Sequence, residues 1–193
     1  MKVLQGSIAR LKVFASNDIA LAAIFAGISF ICTNIQIKLP VGGFNHIGDI
    51  GWIIPAMLFG GLIAGLSGSL GCSLADVYSG SVIWAPFTLL IKFVSAEIIA
   101  LLTDGKSMKK NVIALICGYL CNATSYFLVY FYLFGIHAAL FFYPFCLLQG
   151  LIVCTISLLV VHGIVKIYPT VLNYRALLAK KVHERMRISG EIN

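Results

Sequence analysis

Charged residues are scarce in this chain and acidic ones scarcer still: seven Asp and Glu stand against fourteen Lys and Arg among 193 residues, 11% charged in all. Soluble domains carry about 25%, so a charge-covered globule is excluded. No arginine falls inside a long apolar run, which leaves a buried phosphate or dicarboxylate without its best bidentate partner. The pattern G-x-x-x-x-G-K-[ST] is missing, and the chain is not expected to hydrolyse nucleotide itself. H-E-x-x-H and C-x-x-C are missing too, and His46, His137, His162 and His183 are scattered. Neither a catalytic zinc nor any other metal or cofactor is therefore expected. Cys32, Cys72, Cys117, Cys121, Cys146 and Cys154 each fall in an apolar run, where a thiol acts as a small hydrophobe.

What the chain does have is apolar length. Hydrophobic residues make up 60% of it and the mean hydropathy is +0.99. The reading is an all-α polytopic membrane protein: one membrane domain over residues 1–193, a six-transmembrane-helix bundle. Runs approaching the ~20 residues that a bilayer core demands place helices at about 19–37, 50–64, 66–79, 84–102, 112–134 and 139–167. The second and third are short and divided only by a Gly60–Gly68 stretch of small residues, so a kinked hairpin or a partly re-entrant segment is the alternative there. The first run is longer than a signal-peptide core and lacks a small-x-small cleavage site, so it is expected to remain as a span.

Twelve of the fourteen basic residues fall in three segments: Lys2, Arg10 and Lys12; Lys106, Lys109 and Lys110; and Lys166, Arg175, Lys180, Lys181, Arg185 and Arg187. An even number of spans puts all three on one side, and the positive-inside rule makes that side cytoplasmic. Both termini are thus expected in the cytoplasm of a cell whose cytoplasmic membrane, taken as bacterial, holds the protein as a multi-pass chain. The net charge of +7 then calls for no nucleic acid. The tail over 174–193 carries Leu177, Leu178, Val182 and Met186 at helical spacing and is expected to lie along the anionic inner leaflet of the lipid bilayer.

Asp49, Asp76, Lys92 and Glu97 lie in or at the edges of apolar runs, where an unpaired charge is costly. Lys92 sits eight residues past Trp84, about 12 Å down a helix running inward. Asp76, near the outer end of the third helix, is expected to face it, as a structural ion pair or as part of a site. Asp49, just after His46, opens the second helix, where a carboxylate meets the favourable end of the helix dipole. The fifth helix brings Asn122, Ser125, Tyr126 and Tyr130 to the same level, and the sixth brings Tyr143 and Gln149. Polar and aromatic groups converging in an apolar lining describe a small-molecule pocket. The candidate binding residues are His46, Asp49, Trp52, Asp76, Tyr78, Trp84, Lys92, Asn122, Tyr126 and Gln149, with an interfacial belt as the alternative role for Tyr78, Trp84 and Tyr143. Glu97 is read as structural. Small-residue stripes, Ala22 and Ala26 on the first helix with Ala23 and Gly27 beside them, and Gly61, Gly65, Gly68 and Cys72 further on, permit close helix approach.

At these residues a resemblance appears. Asn45-His46-Ile47-Gly48-Asp49, Leu58-Phe59-Gly60 with Gly65, Gly68 and Gly71, Leu74-Ala75-Asp76, and Trp84 through Lys92 together resemble the substrate-binding S component of energy-coupling factor (ECF) vitamin transporters. The likeness is closest to the branch holding riboflavin-like, pyridoxine and hydroxymethylpyrimidine transporters. It departs from the pattern after Lys92, where Phe93-Val94-Ser95-Ala96-Glu97 stands in place of a Gly-rich stretch. The resemblance implies a six-helix bundle that binds one vitamin from outside under the loop between helices 1 and 2. It also implies docking, through Ala22 and Ala26, onto a transmembrane coupling subunit driven by two ATPase subunits, and tipping of the bundle to release its cargo inside.

The charges narrow the cargo to a neutral or weakly cationic ring with hydroxyl or amino groups, pyridoxine-like or hydroxymethylpyrimidine-like first. Riboflavin, a corrinoid such as cobalamin and a queuosine precursor stay open. The Met-His start of the nickel and cobalt members is absent, since Lys2 follows Met1. Two other classes compete: an intramembrane enzyme using Asp76 or Glu97 as base, which lacks a nucleophile–base pair, and an assembly subunit, which would need no converging polar groups.

Overall fold

The computed structural model describes residues 16–38, 44–104, 107–174, 177 and 180. The basic N-terminal residues, Lys106, and most of the basic tail with Leu178, Val182 and Met186 lie outside them. The described elements are α1 (Ser16–Thr33), a two-stranded antiparallel hairpin of β1 (Gln36–Lys38) and β2 (Phe44–His46), α2 (Ile50–Leu58), α3 (Gly61–Tyr78), α4 (Ala85–Leu102), α5 (Met108–Phe134) and α6 (Ile136–Ile167).

Helices α1, α4, α5 and α6 are long and apolar enough to cross a membrane. The other two are of a different kind. Helix α3 is rich in glycine and serine, and α2 has nine residues, a rise of about 14 Å against a hydrocarbon core of ~30 Å. The second span expected over 50–64 is thus cut short. Phe59 closes α2 by donating its N–H to Pro55, and Gly60 turns the chain at φ 110°, a conformation open to glycine at little cost. Every residue of α2 from Gly51 to Leu58 is buried, as a helix that is apolar all round must be. Neighbouring contacts run α1 to α3 to α4 to α5 to α6, and α2 touches α1, α3, α4 and α6. The long helices therefore form an arc with the short one held in its concave side.

The first helix also ends earlier than expected. The Asn34 side chain donates to the Phe30 carbonyl at 2.8 Å, the helix stops at Thr33, and the residues read as its last turn enter β1. The hairpin pairs Gln36 with His46 and Ile37 with Asn45. At the other join, Gly135 alone, at φ 82°, links α5 to α6.

Close packing depends on glycines facing large side chains. A Cβ at Gly68 would run into the Trp52 side chain at 2.7 Å, and one at Gly65 into the Phe93 ring at 2.7 Å. The Gly-rich stretch missing after Lys92 is thereby supplied from the opposing helix, while Ser95 and Ala96 are themselves fully buried. Helix α1 meets α3 through Ala22, buried at 6% exposure, whose carbonyl accepts from Ser67 Oγ at 3.2 Å. The Ala26 carbonyl lies where a Cβ on Gly71 would go. Of the expected docking pair, Ala22 is thus taken up in an internal contact, while Ala26 is half-buried. It is Ala20, Ala23 and Gly27 that are exposed. At the end of the bundle away from the hairpin, the Tyr174 hydroxyl donates to buried Asp18 and its ring packs edge-on against Phe59.

Candidate functional site

Helix α2 starts in the middle of the arc, so the residue before it, Asp49, is delivered to the bundle interior rather than to a surface. Its carboxylate is fully buried and collects four donors from four helices. Oδ1 accepts from Trp52 Nε1 at 2.9 Å and from Lys92 Nζ at 2.7 Å. Oδ2 accepts from the Tyr119 hydroxyl at 3.2 Å and Gln149 Nε2 at 3.0 Å. Lys92 donates again, to Asn122 Oδ1 at 3.1 Å, and its ammonium lies 5.1 Å from the Tyr126 ring centre and 5.5 Å from that of Trp52. Two charges with side chains 2% and 0% exposed are tolerable only with this degree of satisfaction; loss of one partner from such a pair costs about 3–5 kcal/mol.

The hairpin is fastened to the same centre. Gln149 Oε1 accepts from the His46 backbone N–H at 3.1 Å, and Asn45 Nδ2 donates to the Phe145 carbonyl at 3.0 Å. His46 Nδ1 accepts from the Gly48 N–H at 3.0 Å. Desolvation by burial lowers the His46 pKa from 6.5 to about 4, with Asp49 opposing that shift and Lys92 adding to it. The imidazole is thus neutral near pH 7.

Above this polar floor lies a cavity of about 440 Å³, mouth included, lined by His46, Asp76, Trp84, Thr88, Lys92, Asn122, Tyr126, Tyr130, Phe142, Cys146 and Gln149. One wall is aromatic: Trp84 lies 4.5 Å from Tyr130 between ring centres, and Tyr130 stacks on Phe142 at 4.0 Å. Another is polar. Tyr126 donates to Thr88 Oγ1 at 2.9 Å, and the Asp76 carboxyl lines the cavity with them.

Of the ten candidate binding residues, seven line this cavity: His46, Asp76, Trp84, Lys92, Asn122, Tyr126 and Gln149. Asp49 and Trp52 stand behind Lys92 and support it. Tyr78 is placed elsewhere, 76% exposed with its ring edge on Phe30. The expected pairing of Asp76 with Lys92 is corrected: Lys92 bonds to Asp49 and Asn122, because the inserted α2 brings Asp49 closer than α3 brings Asp76. The sequence places Tyr130 only at the level of the pocket, and Thr88, Phe142, Cys146 and the supporting Tyr119 are not among the candidates it offers. The signal for most of them was helical spacing. Trp84, Thr88 and Lys92 recur every four residues on α4, as do Asn122, Tyr126 and Tyr130 on α5, and Phe142, Cys146 and Gln149 follow the same face of α6. Among the described residues no group of His, Cys, Asp and Glu could hold a metal ion.

The family model of the ECF-type riboflavin transporter S component matches residues 13–168. A curated protein of Pyrococcus woesei, described as an uncharacterized protein in gap 3'region, is 37% identical over 76 residues, 38% of this chain and 51% of that protein. The chain thus spans about half the length of that relative.

Proposed function

Because the chain belongs to the ECF S-component family, a family of multi-pass membrane proteins that bind the cargo of an ECF transporter, we propose that its hairpin-end cavity is the vitamin site. The observation that carries this reading is the cavity itself, its polar floor built from four helices around Asp49 and Lys92 and its wall built from stacked aromatic rings. The cargo is a small neutral or weakly cationic ring of the pyridoxine or hydroxymethylpyrimidine kind. Supporting this, Lys92 is already paired and His46 is neutral, so the lining has no spare cation for a phosphate or carboxylate.

In this reading the hairpin end faces the outside, the hairpin covers the bound molecule, and both termini lie in the cytoplasm. A transmembrane coupling subunit with two ATPase subunits supplies the energy. Its contact on α1 is the exposed face of Ala20, Ala23 and Gly27, where small residues leave room for another helix.

Native mass spectrometry of the purified chain, followed by extraction of any retained small molecule, tests the reading. A stoichiometric ring-containing vitamin is the expected result, together with co-purification of the coupling subunit and two ATPases from cells that make all four. A folded chain that retains no ring-containing compound, takes none up from a mixture of vitamins and joins no such complex would refute it.

A further inference from the structure

The two carboxylates near the cavity are treated very differently by their surroundings. An ionised carboxylate has about four lone-pair sites, and Asp49 meets a donor at each oxygen twice over. Asp76 is 5% exposed and lines the cavity, yet its Oδ2 is buried with no hydrogen-bond partner. Three of the nearby hydroxyls donate elsewhere. Tyr126 donates to Thr88, Ser73 donates to the Ala85 carbonyl, and Ser79 donates to the Asp76 backbone carbonyl. A buried acceptor left in this state is expensive, and an asparagine or threonine would fill the same space at lower cost.

The charge count gives the sign of the missing partner. Lys92 is neutralised by Asp49 at 2.7 Å, which leaves the Asp76 carboxylate as the uncompensated charge among the lining residues. The aromatic wall gives its shape: Tyr130 stacks on Phe142 at 4.0 Å and Trp84 is tilted against Tyr130 at 4.5 Å, an apolar surface that suits another flat ring. We infer that Asp76 selects the cargo, its Oδ2 accepting a hydrogen bond from an amino group carried by a flat aromatic ring lying along the aromatic wall. Lys92 and Asp49 then hold the floor of the site and are not the discriminating contact. This rests on the reading of the cavity as the vitamin site and adds the chemical group that site demands.

The test uses the full-length chain, purified in detergent and freed of cargo, with matched probes that differ in one group: pyridoxamine against pyridoxine, and 4-amino-5-hydroxymethyl-2-methylpyrimidine against its 4-oxo counterpart, with riboflavin as a larger ring without an amino group. Titration calorimetry is expected to find at least one amino-bearing probe bound about tenfold or more tightly than its partner. Asp76→Asn, isosteric and checked for folding by gel filtration and thermal unfolding, is expected to abolish that preference. The wild-type comparison stands whether or not the variant folds. Riboflavin or an amine-free probe binding as tightly as both amino-bearing ones would overturn the inference and leave the vitamin site standing, as would a preference that persists in Asp76→Asn. If no ring compound binds to folded wild-type chain, the inference falls and the vitamin-site reading falls with it.

Discussion

Asp49→Asn is the most informative single substitution because it keeps the shape of the side chain and removes only the charge. Lys92 would be left as a cation with its side chain 2% exposed, in contact with neutral acceptors alone. Removing one partner of a buried pair costs about 3–5 kcal/mol. At about 2–4 °C per kcal/mol for a chain of this size, the unfolding midpoint should fall by about 6–20 °C. Adding Lys92→Met removes the orphaned charge, so the double variant should recover much of the loss, with a coupling energy of about 2–3 kcal/mol, at the upper end for residues in direct contact. Asp76→Asn is the control. Its Oδ2 has no partner to lose, and its midpoint should stay within a few degrees of wild type. Thermal unfolding in detergent can be followed with a thiol-reactive dye, since Cys72 is 1% exposed and becomes reactive on opening, over the starting signal of exposed Cys117. The reasoning is refuted if Asp49→Asn melts with the wild type, if the double variant is no better than the worse single one, or if Asp76→Asn is the more damaging of the two carboxylate changes.

Three further expectations follow from the packing and the electrostatics. Trp at Ala23 or Gly27, which are exposed, should abolish uptake in cells that carry the coupling subunits and leave ligand binding by the isolated chain intact, whereas Ala22→Trp should impair folding itself; uptake unaffected by the exposed pair would remove α1 as the docking face. His46 is held neutral with a pKa of about 4 against an ordinary 6.5, so the unfolded chain binds its proton first and stability should be complete above pH 6.5 and lost as pH falls from 6.5 towards 4; a melting profile over that range that is unchanged in His46→Gln would show that the imidazole is not responsible. Gly68→Val would press a side chain into Trp52, overpacking that costs about 1–3 kcal/mol, and a variant as stable as wild type would mean that α2 and α3 can part without loss.

Much of the fold is legible without coordinates because a bilayer demands long apolar runs and the chain supplies them at α1, α4, α5 and α6. The cavity lining was also largely legible. Lys92 in an apolar run has to find a carboxylate, and polar residues spaced four apart on three helices have to share one face. Length alone misjudged α2 and the end of α1. Both are apolar, and hydropathy does not distinguish a helix wrapped in protein from one wrapped in lipid, or a strand of the hairpin from the last turn of a span.

The sequence by itself determined that a buried cation, a pair of candidate carboxylates and a set of aromatic rings would meet at one level of a helical bundle. Which carboxylate takes Lys92 was decided only by the tertiary structure, where glycines at 68 and 71 let α3 and α1 close around a nine-residue helix and so place Asp49 at the centre. The same arrangement turned Ala22 inward and left Asp76 Oδ2 at the cavity without a partner. Spacing along one helix fixes which residues share a face, but the direction of that face depends on how closely neighbouring backbones approach, and that distance is a property of all the helices together.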